Sequence, residues 1–222
     1  MKDKPSEWIV IADLMSGVVA VVMLMLVVSV VQKQAAERSH RSAMAQGAEA
    51  QRQQIAGVLD QMKRAFDREG ASSFVAIDAA AGKVTLREGV FKSGSACIEP
   101  KARAAFSQVE DRIAAYLLKV HGGQIFVEGH TDNHPVKAPV TDIRGFCTVY
   151  DDNFTLSAAR AREARRLLIG KSGAEAARRV VVAGYGDSRP LAGLAPGDDR
   201  NRRVELRFAS ADAIEQQQSG IK

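Results

Sequence analysis

The feature that most limits what this chain can fold into is an apolar run near its beginning. From Ile9 to Val31 the only ionisable residue is Asp13, and the others are Ile, Val, Leu, Met, Ala, Gly and Ser. A helix needs about 20 apolar residues to cross the hydrocarbon of a bilayer. Trp8 and the polar residues 32–34 flank the run, as interfacial residues do. We therefore predict a transmembrane helix over residues 8–31, preceded by a short tail over residues 1–7.

This run is predicted to stay in the mature protein. It is longer than the apolar core of a cleaved signal peptide, which has about 7–15 residues, and it contains an acid. Ala35-Ala36 is a weak cleavage site. Basic residues stand on both sides of the run, so their count does not decide which end faces the cytoplasm.

Asp13 is the candidate functional residue of the predicted span. An ionised carboxylate costs about 2.5–3.5 kcal/mol at the centre of a membrane helix. Ser16, Gly17 and Ala20 share its helical face and form a small, polar stripe suited to close helix packing. The pattern favours an acid that faces other helices and carries H⁺, or alternatively Na⁺. One span cannot enclose a pore, so a partner with further helices is implied. The alternative is an acid that reaches the interface.

Composition narrows the classes of ligand and activity. The net charge is +5 and the pI about 9.4, which suits nucleic acid, anionic lipid or an acidic polymer. Aromatic residues make up only 5%, and no nucleic-acid motif accompanies the charge, so we predict no nucleic-acid binding. His130 and His134 lack a third metal ligand in the sequence, and no nucleophile–base pair is evident. We therefore predict no enzyme activity, no metal and no cofactor.

The rest of the chain alternates helices and strands. Residues 32–70 are predicted to form a polar helix or flexible linker and then an amphipathic helix at 55–66. A hairpin follows, and later segments alternate between helical and strand periodicity. The predicted helices begin at Pro100 and span 156–169, and the predicted strands are 74–77, 83–86, 125–127, 180–183 and 204–208. This order predicts an α/β sandwich with helices on one face of a mixed sheet.

Cys97 and Cys147 are the only two cysteines, and both follow the predicted span. In an oxidising compartment such a pair forms a disulfide. Two buried thiols are the alternative.

Four motifs then occur in order: Gly129–Asp132, Asn153–Ala161, Gly184–Gly186 and Asn201–Glu205. Together they resemble the OmpA-like peptidoglycan-binding family. The resemblance implies a periplasmic domain over residues 71–209, with a mobile tail over residues 210–222. Residues 133–152 form a longer connection than many members have, and Cys147 lies in it.

The same resemblance implies how peptidoglycan would be held. Its diaminopimelate carries a free zwitterion, whose ammonium suits a carboxylate and whose carboxylate suits a guanidinium. The family's pattern implies that Asp132 takes the ammonium and Arg160 the carboxylate, with Asn153 and Thr131 close by. Arg202 and Arg203 are predicted to support the fold by ion pairing.

An OmpA-like domain behind one span with an early aspartate is also the plan of the MotB family. Trp8 followed by residues 11–17 resembles the start of the MotB span, where the aspartate carries ions. This implies a bacterial inner-membrane protein with a cytoplasmic N-terminus and a periplasmic domain. It also implies a homodimer inside five MotA-like subunits.

Residues 13–17 are most similar to the MotB-like ZorB subunits of Zorya anti-phage systems, whose partner is ZorA; flagellar MotB is the alternative. The helix at 55–66 is then a candidate plug or dimer contact. A passive wall tether without ion conduction is the rival of another class.

Overall fold

The computed structural model describes residues 7–68, 70, 72–107, 113–116, 123–170 and 173–210. The predicted tails before residue 7 and after Ser210 lie outside these residues, as does most of the second half of the helix predicted from Pro100. The chain divides into two compact units, Met1–Gly47 and Ala48–Lys222.

Helix α1 runs over Glu7–Arg68. The segment predicted as either polar helix or flexible linker is therefore helical, which fits its many Ala, Gln, Glu and Arg residues. The apolar side chains from Ile11 to Val31 are exposed. Within the described part of the chain, α1 is the one helix that is long and apolar enough to cross a membrane.

The second unit contains a five-stranded mixed sheet in the order β1-β2-β5-β3-β4. β3 pairs antiparallel with β5 and parallel with β4, and the other two pairings are antiparallel. The strands are β1 (Val75–Asp78), β2 (Lys83–Arg87), β3 (Gln124–His130), β4 (Val180–Gly184) and β5 (Arg203–Ala209). The predicted hairpin and fold class are confirmed. β3 continues three residues beyond the predicted strand, so Glu128 and His130 lie within the sheet.

The helices of this unit are α2 (Pro100–Ser107), α3 (Ile143–Phe146), α4 (Asn153–Ile169) and α5 (Ala174–Arg178), and residues 113–116 are also helical. α4 begins three residues earlier than predicted. The Asp152 carboxylate caps it by accepting a 2.6 Å hydrogen bond from the Thr155 backbone N–H. It ends at Ile169, as predicted, and Gly170 follows as the C-cap.

The last part of α1 belongs to the core of this unit. Ile55, Leu59, Met62 and Phe66 are buried, and the Phe66 ring meets the Phe106 ring edge-on at 5.1 Å between centroids. The domain itself therefore covers the apolar side of the helix at 55–66, and a plug or dimer contact through its exposed side stays a prediction.

Two glycines let α4 approach the sheet closely. A Cβ at Gly129 of β3 would collide with the backbone carbonyl of Ser157. A Cβ at Gly184 of β4 would lie 2.6 Å from the Cβ of Ala158. Both contacts are shorter than atoms tolerate, so only glycine fits these positions. The close packing brings the first turns of α4 next to the end of β3, where the predicted binding residues lie.

Candidate functional site

A cleft of about 480 Å³ lies where β3 ends and α4 begins. All four residues predicted to bind peptidoglycan line it: Thr131, Asp132, Asn153 and Arg160. Residues 134–138 and Val140, which belong to the long connection after β3, also line it, as does Tyr150. The fold therefore gathers into one cleft the four predicted residues, which span 29 positions of the sequence.

Asp132 is a buried carboxylate with several donors. Its Oδ2 pairs with Arg202 Nη1 at 2.6 Å, and its Oδ1 accepts the backbone N–H of His134 at 3.1 Å. Burial alone would raise the pKa of Asp132, but the hydrogen bonds from Arg202 and from the His134 backbone outweigh it and hold the pKa below its ordinary value. Asp132 is therefore an anion at neutral pH, as ammonium binding requires.

Arg160 is almost fully buried and its guanidinium is held on two sides. Nη1 and Nη2 form a two-pronged pair with the Glu88 carboxylate at 3.0 and 3.1 Å. Nε donates to the Ser95 carbonyl at 2.9 Å. Glu88 was not among the sequence candidates. It lies in a short 3₁₀ turn after β2, 72 residues from Arg160, and no sequence pattern sets it apart from other acids.

Asn153 and Thr131 form hydrogen bonds with backbone groups around the cleft. The Asn153 side-chain amide donates to the backbone carbonyls of Asp132 at 3.2 Å and His134 at 2.9 Å, and so ties the start of α4 to the end of β3. Thr131 is buried, and its backbone N–H donates to the Gly186 carbonyl at 2.8 Å. Within the described residues, the Thr131 hydroxyl has no hydrogen-bond partner.

The side chains of Arg202 and Arg203 lie on different sides of the sheet. Arg203 is buried on the opposite face of the sheet, where its Nε pairs with Glu205 at 2.7 Å and its Nη1 donates to the Asn201 carbonyl. Arg202 lies in the cleft itself, and its Nη1 contacts both Asp132 and Asp199 at 2.6 Å. The predicted ion pairing is therefore present at both arginines, and Arg202 in addition lines the cleft that holds the predicted binding residues.

The comparison with known proteins agrees with this geometry. Residues 90–203, more than half of the chain, match the OmpA family. The chain belongs to the OmpA family.

Among solved structures, this OmpA protein is similar to a MotB-like protein from Desulfovibrio vulgaris, with 25% identity and a TM-score of 0.50 over 73% of this chain and 95% of that one. It is also similar to the cell wall anchor of the type VI secretion system from Pseudomonas aeruginosa, with 34% identity and a TM-score of 0.48 over 67% and 97%. For the periplasmic domain of Helicobacter pylori MotB the identity is 22% and the TM-score 0.43 over 62% and 79%. No curated protein sequence matches the chain.

A disulfide joins Cys97 to Cys147 and so fixes the long connection of this OmpA domain to its body. Two hydrogen bonds reinforce the link. The Tyr150 hydroxyl donates to the Gly94 carbonyl at 2.5 Å, and the Ser95 hydroxyl donates to the Phe146 carbonyl at 3.0 Å. Because the Ser95 carbonyl also accepts from Arg160, the bridged segment holds one cleft wall and supports the arginine.

His130 and His134 have different surroundings in the OmpA domain. His134 lies beside Asp132, with its Nδ1 3.4 Å from Oδ2. His130 lies on the opposite sheet face, where its ring and the carboxylates of Glu128 and Glu205 offer ligand atoms within 4.8 Å of one another. Both carboxylates already pair with arginines, and a metal ion would leave the buried Arg203 without Glu205. The residues fit a charge network better than a metal site.

His130 is predicted to make the OmpA domain sensitive to mild acid. Burial, and next the charge of Arg203, lower the pKa of His130 to about 4; Arg189 and Lys83 act in the same direction, and Glu205 opposes them. In the unfolded chain this histidine takes up a proton below pH 6.5, the ordinary histidine pKa. In the folded domain it stays neutral down to about pH 4. Stability is therefore expected to fall by about 2 kcal/mol between pH 7 and pH 4.5.

Replacing His130 with Tyr should remove this slope, because tyrosine does not titrate in that range. The measurement is the thermal midpoint of the full chain in detergent at a series of pH values. His40→Gln, at an exposed position of α1, is the matched control and should keep the slope. An unchanged slope in His130→Tyr would contradict the assignment.

The predicted intramembrane site lies on α1. Asp13 and Gly17 line a shallow groove along the helix together with Leu14, Val18 and others, while Ser16 and Ala20 do not line it. The Ser16 hydroxyl donates to the Asp13 carbonyl at 2.8 Å, which satisfies this polar group within the helix. Asp13 and Gly17, one helical turn apart, thus share one exposed side of the apolar helix.

Proposed function

We propose that this chain is the peptidoglycan-anchored, ion-conducting subunit of a MotAB-like rotary motor in the bacterial inner membrane. The observation that carries the anchoring part is the cleft in which Asp132 and Arg160, a buried anion and a buried cation, lie together. A free diaminopimelate end has an ammonium and a carboxylate on one carbon, and this arrangement suits both charges. Membership of the OmpA family and the likeness to a MotB-like protein support the assignment.

The ion-conducting part is carried by Asp13 in the apolar part of α1. In the proposed topology, residues 8–31 cross the inner membrane with the N-terminus in the cytoplasm and the OmpA domain in the periplasm. Two copies of the chain pair inside five MotA- or ZorA-like subunits, and the two Asp13 carboxylates take up and release H⁺, or alternatively Na⁺. Among MotB-like proteins we favour the ZorB type of anti-phage Zorya systems, on the resemblance of residues 13–17, with flagellar MotB as the alternative.

A passive tether is the second candidate. Asp13 lies about one helical turn from Trp8, close enough to the membrane border for its carboxylate to reach water. Such a protein would use the same cleft and need no ion flow.

Peptidoglycan binding is tested by sedimenting the full chain in detergent with purified sacculi that contain diaminopimelate. Asp132→Ala and Arg160→Ala are each expected to weaken retention by about tenfold or more, because each removes one charged contact to the zwitterion. Arg178→Ala removes an exposed arginine of the short helix α5 and is the matched control. Thermal midpoints show whether each variant is folded. Full retention by the two cleft variants would remove the assignment.

A further inference from the structure

Four charged side chains form a row of alternating sign in the cleft. Asp132 contacts Arg202 at 2.6 Å, Arg202 contacts Glu88 at 3.5 Å, and Glu88 contacts Arg160 at 3.0 Å. Read from one end, the row is anion, cation, anion, cation. The two ends are the residues assigned to the ligand, and the two middle residues are their present partners.

The middle pair has the same order of charges as the proposed ligand. A positive group lies on Asp132 and a negative group on Arg160, which is how a diaminopimelate zwitterion would bind. We propose that the Arg202–Glu88 pair is an internal mimic of the ligand and that the diaminopimelate zwitterion displaces this pair from Asp132 and Arg160. This proposal rests on the proposed function. Glu88 and Arg202 then set how tightly peptidoglycan is held.

The exposure of the four side chains fits an exchange. The end residues are fixed, with 8% of the Asp132 side chain and 2% of the Arg160 side chain exposed. The middle residues are more open, at 28% for Arg202 and 26% for Glu88. The side chains that must move are therefore those that water already reaches.

The structure also offers the displaced groups a place to go. Glu88 and Arg202 line a second cleft of about 480 Å³ as well, beside the first. Lys83 and Arg87 line this second cleft and can receive the Glu88 carboxylate. Arg202 keeps its 2.6 Å contact with Asp199 when it leaves Asp132. After the exchange, Glu88 and Arg202 therefore both have an oppositely charged side chain nearby.

The test compares binding of a defined probe to wild type and variants of the full chain in detergent, by calorimetry. The probe is the tripeptide L-alanyl-γ-D-glutamyl-meso-diaminopimelate. The control probe carries lysine in place of diaminopimelate and so lacks the carboxylate meant for Arg160. Glu88→Gln should bind the first probe about tenfold more tightly, because the competing carboxylate is gone. Its gain for the lysine probe should be much smaller.

Stability gives a second measurement. Without the tripeptide, Glu88→Gln should melt at a lower temperature than wild type, because the buried Arg160 loses its anion. Adding the tripeptide should raise its midpoint by more than it raises that of wild type. Arg202→Gln frees Asp132 while leaving the Glu88–Arg160 pair in place, and it should also bind the first probe more tightly. Asp151→Asn removes one charge from an exposed position and should bind as wild type does.

The outcomes separate the two proposals. Wild type that binds, with neither Glu88→Gln nor Arg202→Gln binding more tightly, overturns the mimic and leaves the proposed function standing. Should Glu88→Gln fail to fold, Arg202→Gln alone decides. Absence of binding by wild type and by every variant overturns the proposed function and the mimic with it.

Discussion

Replacing Asp13 with asparagine is expected to abolish ion-driven activity while leaving the protein assembled with its membrane partner. Asparagine has nearly the size and polarity of aspartate, so helix packing is retained. Its amide cannot take up and release a proton at neutral pH, nor supply the charge that holds a sodium ion. A motor that depends on this carboxylate should therefore lose all measurable function.

The measurement combines an activity assay with co-purification of the MotA- or ZorA-like subunit. Protection against phage is the activity for a Zorya system, and swimming is the activity for a flagellar stator. Asp60→Asn makes the same change at an exposed position later in α1 and should remain active. If Asp13→Asn keeps full activity, ion conduction is ruled out for this residue and the passive tether is favoured.

Removing the disulfide is expected to cause the largest loss of stability. Cys97 and Cys147 are 50 residues apart, so their bridge restricts a long loop in the unfolded chain. In the chain-entropy model a loop of this size contributes about 4 kcal/mol. Since domains are typically stable by about 5–15 kcal/mol, the double variant Cys97→Ser, Cys147→Ser should unfold at a much lower denaturant concentration.

The check is a guanidinium titration of wild type and the double variant, each with and without a reducing agent. Reduction should destabilise wild type to about the level of the double variant and leave the double variant unchanged. Peptidoglycan retention below the unfolding transition should change little, because the hydrogen bonds of Tyr150 and Ser95 still hold the cleft wall. A loss below 1 kcal/mol would show that the unfolded chain gains little from opening this loop.

The fold class could be predicted from the sequence because its signals are local. The periodicity of the side chains predicted the strand at 204–208, which is β5, and the helix end at residue 169, which is the end of α4. The end of β3 and the beginning of α4 were less well predicted. Glu128 and His130 break the apolar pattern expected of a buried strand, yet they are buried by neighbours on the same sheet face.

The candidate cleft could be predicted only in part. A resemblance in sequence located Asp132 and Arg160, which the fold then brought into one cleft. Glu88 could not be found in this way, since its role depends on a contact with Arg160, which is 72 positions away in the sequence. Arg202 and Arg203 are adjacent and chemically alike, and only their alternation along the backbone sends one into the cleft and the other to the opposite face.

The burial of the last turns of α1 has a consequence for how soluble fragments should be made. A fragment starting at residue 71, where the sequence placed the domain boundary, would lack Leu59, Met62 and Phe66 and leave their apolar neighbours facing water. Such a truncation is expected to aggregate. One that starts at Ala48, where the second compact unit begins, retains the whole core and is the better choice for crystallisation or NMR.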